Sequence, residues 1–421
     1  MTMATAVTSQ QVWRMSGVLL ALVLFLTACG NGETESESES ESEGDPVTAD
    51  DGECDGPVTI GVALPLSGPY AETGQFVRDG YLDWAEYLNE TEDGMLGCDI
   101  EVLVEDDTSE AGRSASLLER FITVENVDLI LGGYPTPLVA AQMPVAEQHG
   151  KVYLGMGGGW ESFQQGYEYI FGAPPLMNEW WYNGFFEWVE TLDEAARPQR
   201  AAMVSANNPT GSGMASGVRD HLEELDIELV VEEFYDLPLA SAEPFVVSAQ
   251  RADADLFIAN SFFDDGVTIV RAVASSGYQP DAILQGVGTL IPSWDEELGE
   301  EGEFVISGSP MHPALPFSRA EVVNELAGER YDTELAPIYY QFGANWMDVL
   351  AQAVNGAGTL DDDEVAAWLR DNEIHTIGGD YIFDERGLPE PFNYATQVQD
   401  GRARLVWPPE VAEEEVIYPL P

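Results

Sequence analysis

Residues 58–80, VTIGVALPLSGPYAETGQFVRDG, constrain the fold of this chain more than any other stretch. Val58, Ile60, Val62 and Leu64 make a short apolar strand, Pro65, Gly68 and Pro69 break it, and Gln75, Phe76 and Tyr81 resume at helical spacing. That order is the first βα unit of a parallel sheet. Its turn stands at the carboxyl end of the strand, where open α/β sheets hold their ligands.

The same rhythm is then written repeatedly. Strand 100–104 leads into Glu105-Asp106-Asp107-Thr108 and a helix over 111–124. Strand 127–131 ends in Gly132-Gly133-Tyr134-Pro135-Thr136-Pro137 before a helix to Gln148, and strand 152–155 ends in Met156-Gly157-Gly158-Gly159-Trp160. Composition changes at Phe171-Gly172-Ala173-Pro174-Pro175, and an aromatic-dense helix over 180–192 opens a second domain. There the units restart: strand 200–205, helix 214–225, strand 228–234, helix 244–251, strand 256–260 with a helix to Ser276, and strand 282–285 with Gly286-Val287-Gly288-Thr289. Helices over 338–354 and 361–371 and closing strands within 394–407 come after both sets, so they must return to bodies already built. A length of 421 residues fits two domains at about 150 residues each.

Charge narrows the partners. Lys and Arg together number 16 against 76 Asp and Glu, a net charge of −60, and Lys151 is the only lysine. Such a field repels phosphate, which excludes nucleic acid and anionic lipid as binding surfaces. Beyond mere solubility, the charge is expected to reflect work in concentrated salt, where the Debye length shrinks to about 3 Å at 1 M.

The first residues read as an address. Arg14 precedes an apolar run over 18–26, too short for a stable membrane span, that closes on Leu26-Thr27-Ala28-Cys29-Gly30. This resembles the bacterial lipobox, so residues 1–29 are expected to be a lipoprotein signal and Cys29 a lipid tether. Residues 30–56, with their repeated Ser-Glu pairs, have too little apolar surface to order and form an acidic leash. Cys54 and Cys98 remain, each just before a strand. Outside the cytoplasm, at the starts of neighbouring parallel strands, they are expected to form a disulfide contributing roughly 3–4 kcal/mol in the chain-entropy model.

Five stretches together resemble the substrate-binding proteins of branched-chain amino acid and amide ABC importers: PLSGPYAETGQ at 65–75, PTGSGMASGVRDHLEE at 209–224, DDGVTIVRAVASSGYQP at 264–280, YYQFGANWMDVLAQAVNGAG at 339–358 and FDERGLPEPFNYATQVQDGRARLV at 383–406. The resemblance covers the mature body in order. It implies a type I periplasmic-binding fold: α/β, two doubly wound parallel-sheet lobes joined by a three-segment hinge. Lobe 1 would hold 57–173 plus 309–390, and lobe 2 would hold 174–308 plus 391–421. It further implies a small organic ligand held between the lobes, hinge closure, an ABC permease with its ATPase as partners, and no cofactor or metal. An amino acid-, amide- or organic acid-like solute is expected, with a surface sensor or an enzyme on the same scaffold as the alternative.

Carried over position by position, the resemblance places ligand contacts at Thr73, Tyr134, Thr136, Gly157, Gly158, Gly159 and Trp160 in the first lobe. In the second it places them at Thr210, Phe262, Phe263, Asp264 and Thr289. Free N–H groups at the helix starts near Thr136 and Trp160 suit a carboxylate. Where amino-acid binders carry a carboxylate for the ligand's ammonium, this chain has Val287, so Asp264 or Asp265 must substitute or the ligand is an amide, a carboxylic acid or an aromatic. Enzyme signatures are missing from the sequence: His149, His221, His312 and His375 are scattered, and neither a GxSxG elbow nor a Walker loop occurs.

Overall fold

The computed structural model describes Cys54 and residues 56–155, 160–172, 178–391 and 394–421. The signal, Cys29, most of the acidic leash and Gly157, Gly158 and Gly159 lie outside the described residues. The strands are β1 (Val58–Leu64), β2 (Ile100–Asp106), β3 (Leu129–Ile130), β4 (Tyr153–Gly155), β5 (Ile170–Gly172), β6 (Arg200–Ala206), β7 (Glu228–Tyr235), β8 (Leu256–Asn260), β9 (Ala282–Gln285), β10 (Ile306–Ser309), β11 (Ile374–Thr376), β12 (Gly379–Tyr381), β13 (Tyr394–Gln399) and β14 (Arg402–Trp407). Between and after them run α1 (Ala71–Thr91), α2 (Ala111–Arg120), α3 (Thr136–Gln148), α4 (Trp160–Phe163), α5 (Asn183–Glu190), α6 (Pro209–Glu224), α7 (Glu243–Arg251), α8 (Phe263–Ser276), α9 (Ser293–Leu298), α10 (Ala320–Tyr331), α11 (Ile338–Ala357) and α12 (Asp362–Asp371).

The expected α/β class with parallel-dominated sheets is what folds. In the first body the order is β2-β1-β3, all parallel, with Val58 opposite Ile100 and Leu64 opposite Asp106. The parallel pair β4-β5 continues this layer, because the Gly132 N–H beyond β3 donates to the Leu154 carbonyl at 2.6 Å. In the second body the order is β14-β13-β10-β9-β8-β6-β7, parallel from β10 to β7 with β13 and β14 antiparallel at one edge. β8 is buried along its whole length and β1 almost so, as strands covered on both faces must be, which explains their unbroken apolar sequence.

The late segments return to both bodies. α11 lies along α1, while β13 and β14 join the second sheet. The α1–α11 contact depends on two glycines: a Cβ at Gly80 would sit 2.0 Å from the Tyr340 carbonyl oxygen, and one at Gly343 2.1 Å from that of Val77. Removing both side chains lets the backbones touch. The chain thus passes between bodies after β5, after β10 and after β12.

Cys54 and Cys98 form a disulfide with Cα atoms 5.6 Å apart, just ahead of β1 and β2. Some elements differ from the sequence expectation. α6 starts at Pro209, five residues earlier than the apolar spacing indicates, because the Asn208 side chain accepts from the Gly211 N–H at 2.9 Å and proline suits the first helical position. The aromatic segment is a short turn, Asn178–Trp180, followed by α5, and not one helix over 180–192. β5 is only three residues long, too short for periodicity to reveal.

Lys151 joins two distant segments: its Nζ reaches Asp362 Oδ2 at 2.8 Å and the Asp128 carbonyl at 2.9 Å. Asp362 also takes the Val152 N–H at 2.8 Å and is largely buried. Lys151→Met should therefore leave a poorly solvated carboxylate and cost about 2 kcal/mol, between the exposed and fully buried limits for ion pairs. Urea unfolding measures this; an unchanged midpoint refutes it.

Candidate functional site

The turns that follow β1 and β3 face those that follow β8 and β9. The β1 turn is held by Asp106 at the end of β2, whose carboxylate accepts from the N–H groups of Leu66, Ser67 and Thr108 and from the Ser67 hydroxyl at 2.7–3.2 Å. Burial works against this charge, yet the donors outweigh it and keep the Asp106 carboxyl below its usual range. Ser109 completes the clamp: its hydroxyl donates to the Ser67 carbonyl at 2.8 Å and accepts from the Tyr70 N–H at 3.3 Å. The Asp106-Asp107 pair is thus a scaffold for the turn, in keeping with the abundance of carboxylates in the sequence.

A central cavity of about 220 Å³ lies between the two rims. Gly68 to Thr73 and Tyr134 line it from the first body; Phe262, Phe263, Asp264 and Val287 line it from the second. A side compartment of about 360 Å³ shares Pro69, Tyr70, Phe262 and Asp264 and adds Leu237, Pro238, Leu239, Asp265 and Thr268. The rings of Tyr70 and Phe262, 5.3 Å apart between centroids, divide the two. The Ser293 hydroxyl also donates to the Glu72 carboxylate, and a third compartment of about 430 Å³, sharing no lining residue with the central cavity, is lined by Thr289, Trp294, His312, Arg402 and the 333–337 loop. Two cross-rim contacts, one aromatic and one polar, therefore bound the central cavity.

Asp265 anchors the second rim. Its carboxylate accepts from the Phe262 N–H at 3.0 Å and from the Tyr235 hydroxyl, and burial holds its pKa above the ordinary carboxylate value despite those donors. Burial likewise raises Tyr134 and Tyr70, so both hydroxyls stay protonated donors. Asp264, one residue before, is exposed at the rim.

Thr73, Tyr134, Phe262, Phe263 and Asp264 come together around the central cavity. Thr289 lies in the third compartment instead. Thr136 opens α3 with its hydroxyl 3.4 Å from Asn178 Oδ1, and Thr210, in the first turn of α6, keeps a buried hydroxyl with no partner among the described residues. Neither lines the compartments above. Gly157, Gly158 and Gly159 lie outside the described residues; Trp160 begins α4. Tyr70, Glu72 and Leu237 to Leu239 also line the cleft and were not singled out from the sequence. Tyr70 and Glu72 sit inside the PLSGPYAETGQ stretch, so position in the turn was the available signal.

The sequence model of the family described as Periplasmic binding protein matches residues 57–403. The Leu/Ile/Val-binding protein homolog 7 of Brucella abortus (strain 2308) is 25% identical over 382 residues, covering 86% of this chain and 94% of that one. Among solved structures, the branched-chain amino acid transporter substrate binding protein LivJ from Streptococcus pneumoniae, in complex with isoleucine, superposes with a TM-score of 0.73 at 18% identity, covering 86% of this chain and all of that one (100%). A solute binding protein of an ABC transporter from R. palustris, in complex with benzoate, gives 0.74 at 15% identity over 83% of this chain and 95% of that one. These likenesses establish the type I periplasmic binding fold for the two sheets. No helix among the described residues is long and apolar enough to cross a membrane.

Proposed function

The chain belongs to the periplasmic binding protein family, and from that premise we propose that it captures a small solute between its two sheets outside the cytoplasm and delivers it to an ABC permease and its ATPase. The observation that carries this reading is the central cavity, to which both rims contribute side chains. A solute touching both rims favours the closed arrangement by its differential affinity for it, which is the physical content of hinge closure. The lobes would be 57–173 plus 309–390 and 174–308 plus 391–421, a division supported by the sheet memberships of β1–β5 and of β6–β10 with β13 and β14.

The solute class is amino acid-, amide- or organic acid-like, in keeping with the isoleucine and benzoate named for the similar structures. At about 220 Å³ the cavity is smaller than sites that hold drug-sized molecules, so the solute is small. The protein acts by binding without chemistry. Lipidation at Cys29 would hold it at the membrane through the acidic leash, and the net charge of −60 fits it to concentrated salt.

A thermal-shift and tryptophan-fluorescence screen of amino acids, amides, urea and aromatic acids in high salt tests this reading. A saturable response with the solute recovered unaltered is expected; conversion of the solute overturns it.

A further inference from the structure

The charge lining the central cavity has one sign. Glu72 and Asp264 are its ionisable carboxylates, Asp265 lies just beyond in the side compartment, and neither compartment has a Lys, Arg or His in its lining among the described residues. Met156-Gly157-Gly158-Gly159 and residues 173–177, outside the described set, contain none either. Cations elsewhere are committed to other partners: Arg78 to Asp79 at 2.6 Å, Arg113 to the Asp106 carbonyl at 2.9 Å and Arg271 to Glu297 at 2.9 Å. The basic groups His312 and Arg402 line only the third compartment, which shares no lining residue with the central cavity, and both face Glu413, at 3.8 and 3.4 Å. A solute whose only charge is negative would enter this cavity without a cationic partner and against two carboxylates.

Part of the polar lining is already engaged. Glu72 accepts from Ser293, Asp265 from Tyr235 and the Phe262 N–H, and the Thr73 hydroxyl donates to the Tyr70 carbonyl at 3.1 Å. Asp264 alone presents a carboxylate with no protein donor among the described residues. A primary ammonium brings three N–H donors and wants as many acceptors. A methylated ammonium wants none; it is satisfied by aromatic rings and by the field of nearby anions. The rings are present: Tyr70, Tyr134, Phe262 and Phe263 line the cavity beside Val287.

We propose that the central cavity seats a methylated ammonium group among Tyr70, Tyr134, Phe262 and Phe263, with Glu72 and Asp264 supplying the countercharge. This rests on the capture reading above and puts a cationic solute in place of the amino acid-, amide- or organic acid-like one given there. Titration calorimetry in high sodium chloride, with tetramethylammonium and choline set against leucine and benzoate, tests it on the whole chain. The methylated cations should saturate and bind at least about tenfold tighter than leucine, with benzoate weaker still, and Phe262→Leu and Asp264→Asn should each weaken choline by about tenfold, about 1.4 kcal/mol. Asp264 is exposed, so its variant reports on binding even if the Phe262 variant folds poorly. Tighter binding of leucine or benzoate, or wild-type choline affinity in Asp264→Asn, overturns the proposal. Should the cations fail while another solute of the wider screen binds, only this inference falls; should the whole screen fail as well, the capture reading falls with it.

Discussion

A Gly80→Val chain should lose more than about 3 kcal/mol of stability, beyond the usual range for overfilled cores, and the first body should be the part that unfolds. The reason is backbone against backbone. Ordinary overpacking is relieved when a neighbouring side chain turns aside, but a Cβ added at Gly80 would meet the Tyr340 carbonyl oxygen at 2.0 Å and the Ala344 nitrogen at 2.9 Å. Those atoms belong to α11, which is buried along nearly its whole length and cannot shift without displacing its own buried Tyr339, Phe342 and Trp346. With total stabilities of about 5–15 kcal/mol, such a loss removes a large share. Thermal unfolding should show it as a fall of roughly 2–4 °C per kcal/mol for a domain of about 150–250 residues. Gly112, whose added Cβ would meet nothing within 4 Å, is the control: Gly112→Ala should leave the midpoint unchanged or raise it. A Gly80→Val protein with the wild-type midpoint would show that α1 and α11 do not pack this closely.

The second large effect is electrostatic. Transfer from about 1 M to about 0.1 M salt lengthens the Debye length from about 3 to about 10 Å, so 76 carboxylates opposed by 16 cations begin to repel one another across the surface. The melting temperature should drop by at least about 10 °C, and no drop would refute the salt reading. Mild acid should recover part of the loss. Burial raises Asp348 to about 7 against the Arg319 charge 2.6 Å away, and burial raises Asp107 to about 6. Each has a folded pKa above the unfolded value of 3.8, so each contributes stability that is complete below that value and is lost as pH rises through about 6 and about 7. Buried His312 and half-buried His221 oppose this: burial lowers their pKa from 6.5, so their neutral forms contribute stability that is lost as pH falls below that value. The net gain should therefore lie between about pH 8 and about pH 6.5 and should shrink in Asp348→Asn, as melting curves across that range would record.

Much of the architecture was legible because its causes are local. The apolar run of β1, the Pro-Gly-Pro break after it and the helical spacing of α1 are decided within 23 residues, and β2, β6, β8 and β9 follow the same grammar. Asn208 shows the limit: its side chain caps α6 and so moves the helix start to Pro209, a choice that apolar periodicity does not register. β5 shows another, since a three-residue strand owes its existence to its neighbours and not to its own pattern.

Of the site, the order of residues alone determined that Thr73, Tyr134, Phe262, Phe263 and Asp264 stand at the carboxyl ends of strands, because turn chemistry follows its strand wherever the strand goes. Only the tertiary structure decided which turns face each other and where the cleft is partitioned. Glu72 and Ser293 are 221 residues apart and meet through a single hydroxyl, and Tyr70 meets Phe262 across the two rims. Contacts of that kind depend on how two separately built sheets are aimed at one another, and no local spacing in the chain encodes that angle.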